Sequence, residues 1–213
     1  MTAIDSGTVL LVHGLWMNAF AMLPLARRLE HCGFQVKRHG YKSVTRGLRE
    51  NARGLAAACE NVHKVDARLH LVGHSLGGVL IMAMLQEHPE IQVHRVVLIG
   101  APYAGSAAAH GFAHFGWSRT VLGQTIEDWR RRARAPVPQG IEVGVIAGSV
   151  SFGLGRLFVN LPEPNDGVVM LSETQVPGAT ASIVLRTSHS AMLVSAAVAR
   201  ATCAFLKSGS FKT

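Results

Sequence analysis

The chain has 213 residues, 48% hydrophobic and 16% charged. That suits one domain with a large core and excludes disorder and collagen. The formal charge of +8, from 21 Lys and Arg against 13 Asp and Glu, raises nucleic acid or an anionic membrane as partners. The excess is diffuse, since residues 1–100 carry 11 basic and 7 acidic side chains and residues 101–213 carry 10 and 6. No zinc spacing, basic heptad or aromatic-interleaved RNA motif accompanies it, so no nucleic acid is expected.

The predicted elements alternate in chain order. Thr8 to His13 (TVLLVH) is a continuous apolar run, the mark of a strand buried on both faces. Asn18 to Cys32 reads as a helix stopped at Gly33, and Phe34 to His39 as a second strand. A helix over Arg46 to Val62, a third strand over Arg68 to Gly73 and a helix over Leu76 to Glu87 follow. Arg95 to Ile99, Ile141 to Ala147 and Ser182 to Arg186 complete six strands, before a last helix from about Ser190 to Leu206. This rhythm predicts right-handed crossovers and a three-layer α/β/α sandwich around a mainly parallel sheet. Residues 1–213 form one domain in this reading, and 103–139, with Phe112, Phe115, Trp117 and Trp129, is long enough to form a lid or flap. Gly148 to Gly178 reads mostly as loop.

Cys32, Cys59 and Cys203 are odd in number and lack a C-x-x-C pair, which predicts free, buried thiols in a reducing, cytoplasmic setting. No secretory h-region or membrane-length apolar run is present in the sequence given. The cluster Arg130, Arg131, Arg132 and Arg134 reads first as a solvated helix face and second as an attractor of anionic interfaces or substrates.

The strongest chemical signal is Gly73-His74-Ser75-Leu76-Gly77-Gly78, a G-x-S-x-G pentapeptide placed where a strand ends and a helix begins. Such a turn is sharp enough to strain the serine and crowd its flanks, and the flanking glycines remove the side chains that would clash. A serine hydroxyl needs a base, and the base a carboxylate, which follow in this architecture in the order acid then histidine. His13, His31, His39, His63, His70 and His74 precede Ser75. His88, His94, His110 and His114 precede the fifth strand, leaving His189. The acid is then Glu163, Asp166 or Glu173. Asp166 is preferred because Asn165-Asp166-Gly167 is a tight-turn sequence anchored by apolar residues. Oxyanion donors are expected from the N–H of Leu76 and, after the first strand in His13-Gly14-Leu15-Trp16, the N–H of Leu15.

With VHGLW at 12–16, LVGHSLGG at 71–78, VVLIGAPYAGS at 96–106, NDGVV at 165–169 and SHSAML at 188–193, the chain resembles the α/β-hydrolase superfamily. Within it, the motifs are similar to small bacterial lipases and the lipase-like branch of GPI inositol-deacylase-type proteins. The resemblance implies the triad roles for Ser75, Asp166 and His189. Tyr103 stands where that group usually has histidine, a departure bearing on substrate specificity. The first strand begins close to residue 1, which predicts a sheet trimmed to six parallel strands in the order 2-1-3-4-5-6.

The leading expectation is a serine hydrolase cleaving carboxylic esters of small-molecule or lipid type, with no metal or organic cofactor. An acyltransferase or thioesterase on the same fold is the first alternative. A noncatalytic protein binding an anionic membrane or nucleic acid is the second. Peripheral contact with an anionic membrane is compatible with the first reading.

Overall fold

The computed structural model describes residues 7–106, 118–132, 134–152, 162 and 164–212. Six parallel strands, β1 (Thr8–Val12), β2 (Gln35–His39), β3 (Leu69–His74), β4 (Arg95–Ile99), β5 (Glu142–Gly148) and β6 (Ala181–Leu185), lie in the order β2-β1-β3-β4-β5-β6. Among the described residues the helices are α1 (Leu23–His31), α2 (Leu48–His63), α3 (Leu76–Glu87), α4 (Ser118–Arg131) and α5 (Ala196–Ser208), with 3-10 turns at Ala19–Met22, Leu171–Thr174 and Ser190–Leu193. The strand order and the parallel α/β/α sandwich are those the sequence predicts. The predicted first helix is divided, its opening turn being 3-10 and capped by the Asn18 side chain on the Phe20 N–H.

Alternate residues of a strand face opposite sides of the sheet, and the core divides accordingly. Val9, Leu11, Val72, Val97 and Ile146 pack with Met22, Leu25 and Leu29 of the α1 region and Val198 and Phe205 of α5. Leu10, Val12, Leu71, Leu98 and Val145 pack with α2, α3 and Trp129 of α4. Helix α3 is buried from Leu76 to Leu85, consistent with its lack of a polar face: it lies between the sheet and α2. Edge strand β2 presents Gln35, Lys37 and Arg38 to solvent, charges that blunt edge-to-edge pairing.

The described part of the 103–139 segment is docked. Asp128 Oδ2 accepts the Leu48 N–H at 2.9 Å and so caps α2, while Thr125 Oγ1 accepts from Asn51 Nδ2 at 2.9 Å. Trp129 is buried. Gly123 breaks α4 with φ of 78°, and a Cβ there would lie 2.5 Å from the Val44 backbone. Phe112, Phe115 and Trp117 lie outside the described residues. The arginine cluster is largely engaged: Arg130 pairs with Glu127 at 3.0 Å, Arg132 with Glu87, and Arg134 stacks on Trp129 at 4.6 Å. Arg131 is the exposed member.

Two of the three cysteines correct the expectation of free thiols. Cys32, at the end of α1, and Cys203, within α5, form a disulfide across a separation of 171 residues. Parity and local spacing could not reveal it, because the two helices meet only by packing on the same sheet face. Cys59 is free and buried, and burial pushes its thiol pKa up to about 12. Among the described residues, no helix is long and apolar enough to cross a membrane.

Candidate active site

The carboxyl ends of the parallel strands place their following loops along one edge, where ligands bind in open α/β sheets. At the end of β3, Ser75 adopts φ of 54° and ψ of −125°. This is a conformation that L-residues rarely take and that tends to mark functional turns. A Cβ on Gly73 would lie 2.5 Å from the Gly78 N, and one on Gly77 would lie 2.5 Å from the His13 carbonyl oxygen. Both glycines are therefore sterically required. Leu76 opens α3 directly after Ser75, at a position where a helical N–H has no carbonyl four residues earlier to bond.

The loop after β1 crosses this elbow. A Cβ on Gly14 would stand 3.1 Å from the Ser75 Cβ. His13 is fully buried, and its Nδ1 donates to the Gly14 carbonyl at 2.8 Å. In a trans peptide the carbonyl and the following N–H point opposite ways, so this bond also sets the direction of the Leu15 N–H. Tyr41 secures His13 in turn. Their rings stack at 4.4 Å, the Tyr41 hydroxyl donates to the His13 carbonyl at 3.0 Å, and the Tyr41 N–H donates to His13 Nε2 at 3.4 Å. Burial lowers the His13 pKa and keeps the ring neutral, as this donor-and-acceptor pattern requires. Burial also lowers that of His39, with His13 adding to the shift. A cavity of about 340 Å³, lined by His13, His39, Tyr41, Lys42 and Arg46, lies on the β2 side of this loop, and none of Ser75, Asp166 and His189 lines it.

Asp166 and His189 meet beyond the carboxyl ends of β4 and β5. His189 Nδ1 lies 2.8 Å from Asp166 Oδ2, both residues being buried. Asp166 Oδ1 accepts the N–H groups of Val168 and Val169 at 3.0 and 2.8 Å, contacts that compensate the burial of a carboxylate. The turn that presents it is closed by Gly167, with φ of 97° and its N–H on Asn165 Oδ1 at 2.8 Å. Gly100 links this pair to the elbow. Ser75 donates its N–H to Ile99, and a Cβ on the next residue, Gly100, would stand 3.2 Å from His189 Nδ1 and 3.3 Å from Asp166 Oδ2. An imidazole whose Nδ1 donates to a carboxylate keeps a basic Nε2, and this edge of the sheet can therefore support proton transfer from a hydroxyl.

The alternative acids are placed differently. Glu173 Oε2 accepts the Met170 N–H at 2.8 Å and caps a 3-10 turn, while Glu163 lies outside the described residues. Tyr103 is buried, and its hydroxyl donates to the Ala135 carbonyl at 2.6 Å and accepts from Gln86 at 2.8 Å. Chain order excludes His74 as the base because it precedes Ser75, and neither it nor Tyr41 carries a local sequence signal for the contacts it makes. Among the described residues, no group of three or more His, Cys, Asp or Glu is arranged to hold a metal ion.

Known structures share this architecture. The mature form of a Bacillus licheniformis lipase superposes with a TM-score of 0.74 at 21% identity, covering 88% of this chain and 86% of that one. The propeptide form of that lipase gives 0.76 at 20% identity, with 88% of this chain but only 47% of that one covered. A metagenomic carboxyl esterase gives 0.71 at 18%, covering 90% and 66%. A thioesterase of prodiginine biosynthesis from Streptomyces coelicolor gives 0.62 at 15%, covering 96% and 86%. At these identities the likeness establishes the fold. Among curated proteins, none matches the chain. A family model described as serine aminopeptidase, S33, matches residues 4–141, a span that includes the Ser75 elbow and ends before Asp166 and His189. The chain belongs to this α/β-hydrolase family.

Proposed function

We propose that the protein is a serine hydrolase acting on carboxylic esters, with Ser75 as nucleophile, His189 as general base and acid, and Asp166 as the carboxylate orienting His189. The observation that carries this reading is the 2.8 Å contact between His189 Nδ1 and Asp166 Oδ2 beside a serine held at φ of 54°. In the first step Ser75 Oγ attacks the acyl carbonyl while His189 Nε2 takes the hydroxyl proton. The tetrahedral oxyanion is received by the N–H groups of Leu15 and Leu76, the former aimed by the bond between His13 and the Gly14 carbonyl. Collapse expels the alcohol, which leaves with the proton from His189. Water, deprotonated by the same ring, then releases the acid and restores Ser75.

A small-molecule or lipid ester fits this chemistry, and the lipase and esterase folds nearby support it. The likeness to GPI inositol-deacylase-type proteins rests on the sequence motifs alone. The thioesterase of similar fold keeps a second acceptor class, thioester cleavage or acyl transfer, as the alternative. Of the two grounds for a cytoplasmic setting, unpaired thiols and the lack of a secretory h-region, the Cys32–Cys203 bond removes the first, since such bonds persist mainly in oxidising compartments.

The test is a panel of p-nitrophenyl esters of increasing chain length, with thioester and amino-acid amide substrates beside it, on wild type and Ser75→Ala. Ester turnover is expected in the wild type, with a loss of at least about 10³-fold in kcat for Ser75→Ala. Wild-type turnover by Ser75→Ala would overturn the proposal. Preference for thioester would move the reading to the alternative.

A further inference from the structure

His74, the last residue of β3, is fully buried, and the mechanism above gives it no task. Its Nε2 lies 3.1 Å from the carbonyl oxygen of His189, and the two imidazoles sit 4.8 Å apart at 46°. A carbonyl can only accept, so Nε2 carries the proton and donates. Nδ1 is then a lone-pair nitrogen, buried without a hydrogen-bond partner, 3.2 Å from where a Cβ on Gly14 would stand. Burial first, and His189 second, hold the His74 pKa at about 3, so the ring stays neutral wherever an imidazole base can work.

His189 is thus held at three polar groups. Its N–H donates to the Asp166 carbonyl at 2.9 Å and its Nδ1 to Asp166 Oδ2 at 2.8 Å, while its carbonyl accepts from His74. The first two bonds fix His189 relative to the acid. The third comes from the elbow itself, one peptide bond before Ser75. Reacting groups displaced by about 1 Å can lose on the order of 100-fold in rate, so a direct tie between these two segments has kinetic consequences.

We propose that His74 is a positioning residue that sets the separation of Ser75 and His189 by donating from Nε2 to the His189 carbonyl. This rests on the assignment of Ser75 and His189 above. The first arm of the test addresses that assignment alone: a fluorophosphonate should label the wild type at Ser75 and should not label Ser75→Ala. The second arm addresses His74. His74→Leu should lower kcat for a soluble ester by about 10–100-fold with KM changed less than about twofold. His74→Gln, whose amide nitrogen reaches as far as Nε2, should recover most of the loss, and the shorter His74→Asn should not. In a His189→Ala background, His74→Leu should lower the residual rate by less than about twofold, because the residue acts through the missing ring.

Absence of labelling would overturn the nucleophile assignment and this proposal with it. Labelling of the wild type together with unchanged kcat in His74→Leu would overturn this proposal alone, as would the full loss persisting in the His189→Ala background. Should His74→Leu fail to fold, the Gln and Asn variants decide, and equal kcat for the two overturns the proposal.

Discussion

His189 and Asp166 are joined twice, through the 2.8 Å contact of Nδ1 with Oδ2 and through the His189 N–H donated to the Asp166 carbonyl at 2.9 Å. The backbone bond places the ring and the side-chain bond selects its tautomer. Asp166→Asn keeps the first and can keep the Val168 and Val169 contacts, but an amide NH2 facing Nδ1 favours the wrong tautomer. We expect kcat to fall by about 10³–10⁴-fold with the fold intact. Glu173→Gln retains an acceptor for the Met170 N–H and should leave kcat within about twofold. Steady-state kinetics with circular dichroism on both variants checks the pair, and the reverse ranking would transfer the acid role to Glu173.

The His13 bond to the Gly14 carbonyl predicts an effect on rate through a residue that donates nothing to substrate. His13→Leu releases the peptide whose N–H belongs to Leu15. One oxyanion donor is worth about 10²–10³-fold, and partial misdirection should cost on the order of 10-fold in kcat. KM for a short ester should be little changed. A variant that folds and keeps wild-type kcat would separate His13 from the oxyanion loop.

The Cys32–Cys203 bond closes a loop of 171 residues between α1 and α5. Long loops gain most from closure in the chain-entropy model, and loss of a native disulfide commonly costs about 2–5 kcal/mol. Cys32→Ser with Cys203→Ser should lower the denaturation midpoint accordingly, and dithiothreitol should do the same to the wild type but not to the double variant. Equal midpoints for wild type with and without reductant would refute a stabilising role.

Buried neutral histidines give stability a definite pH dependence. The folded-state pKa of His74 is held at about 3, and those of His13 and His39 are also lowered by burial. In the unfolded chain each imidazole titrates near about 6.5, so the unfolded state takes up protons first as pH falls. Their contribution is complete above about pH 6.5 and declines below it, for His74 with a slope of up to about 1.4 kcal/mol per pH unit. For His74 the decline continues toward about pH 3. Urea denaturation between pH 7.5 and 4.5 should show this slope, reduced by one histidine's share in His74→Gln. A flat stability curve would contradict it.

Much of this molecule is legible locally. The TVLLV and RVVLI runs are strands buried on both faces, and helix Leu76–Glu87 begins at the serine turn and ends before Pro89. Chain order and turn chemistry point to Asp166 and His189, and the two side chains lie 2.8 Å apart. Most element ends agree within two residues, with Asp128 capping the start of α2. The expected last helix is divided like the first: a 3-10 turn at Ser190–Leu193 precedes α5, which starts only at Ala196, where the Ser195 side chain accepts the Val198 N–H.

What the sequence determined by itself was the fold, the strand order and the candidate nucleophile, because periodicity, glycine placement and turn residues act over a few neighbouring positions. Tertiary structure alone decided the Cys32–Cys203 bond, the Tyr41 clamp on His13 and the contact of His74 with the His189 carbonyl. Each joins residues far apart in the chain. Such pairings depend on which helices share a sheet face and which loops cross at its carboxyl edge, distances that no local pattern of residues encodes.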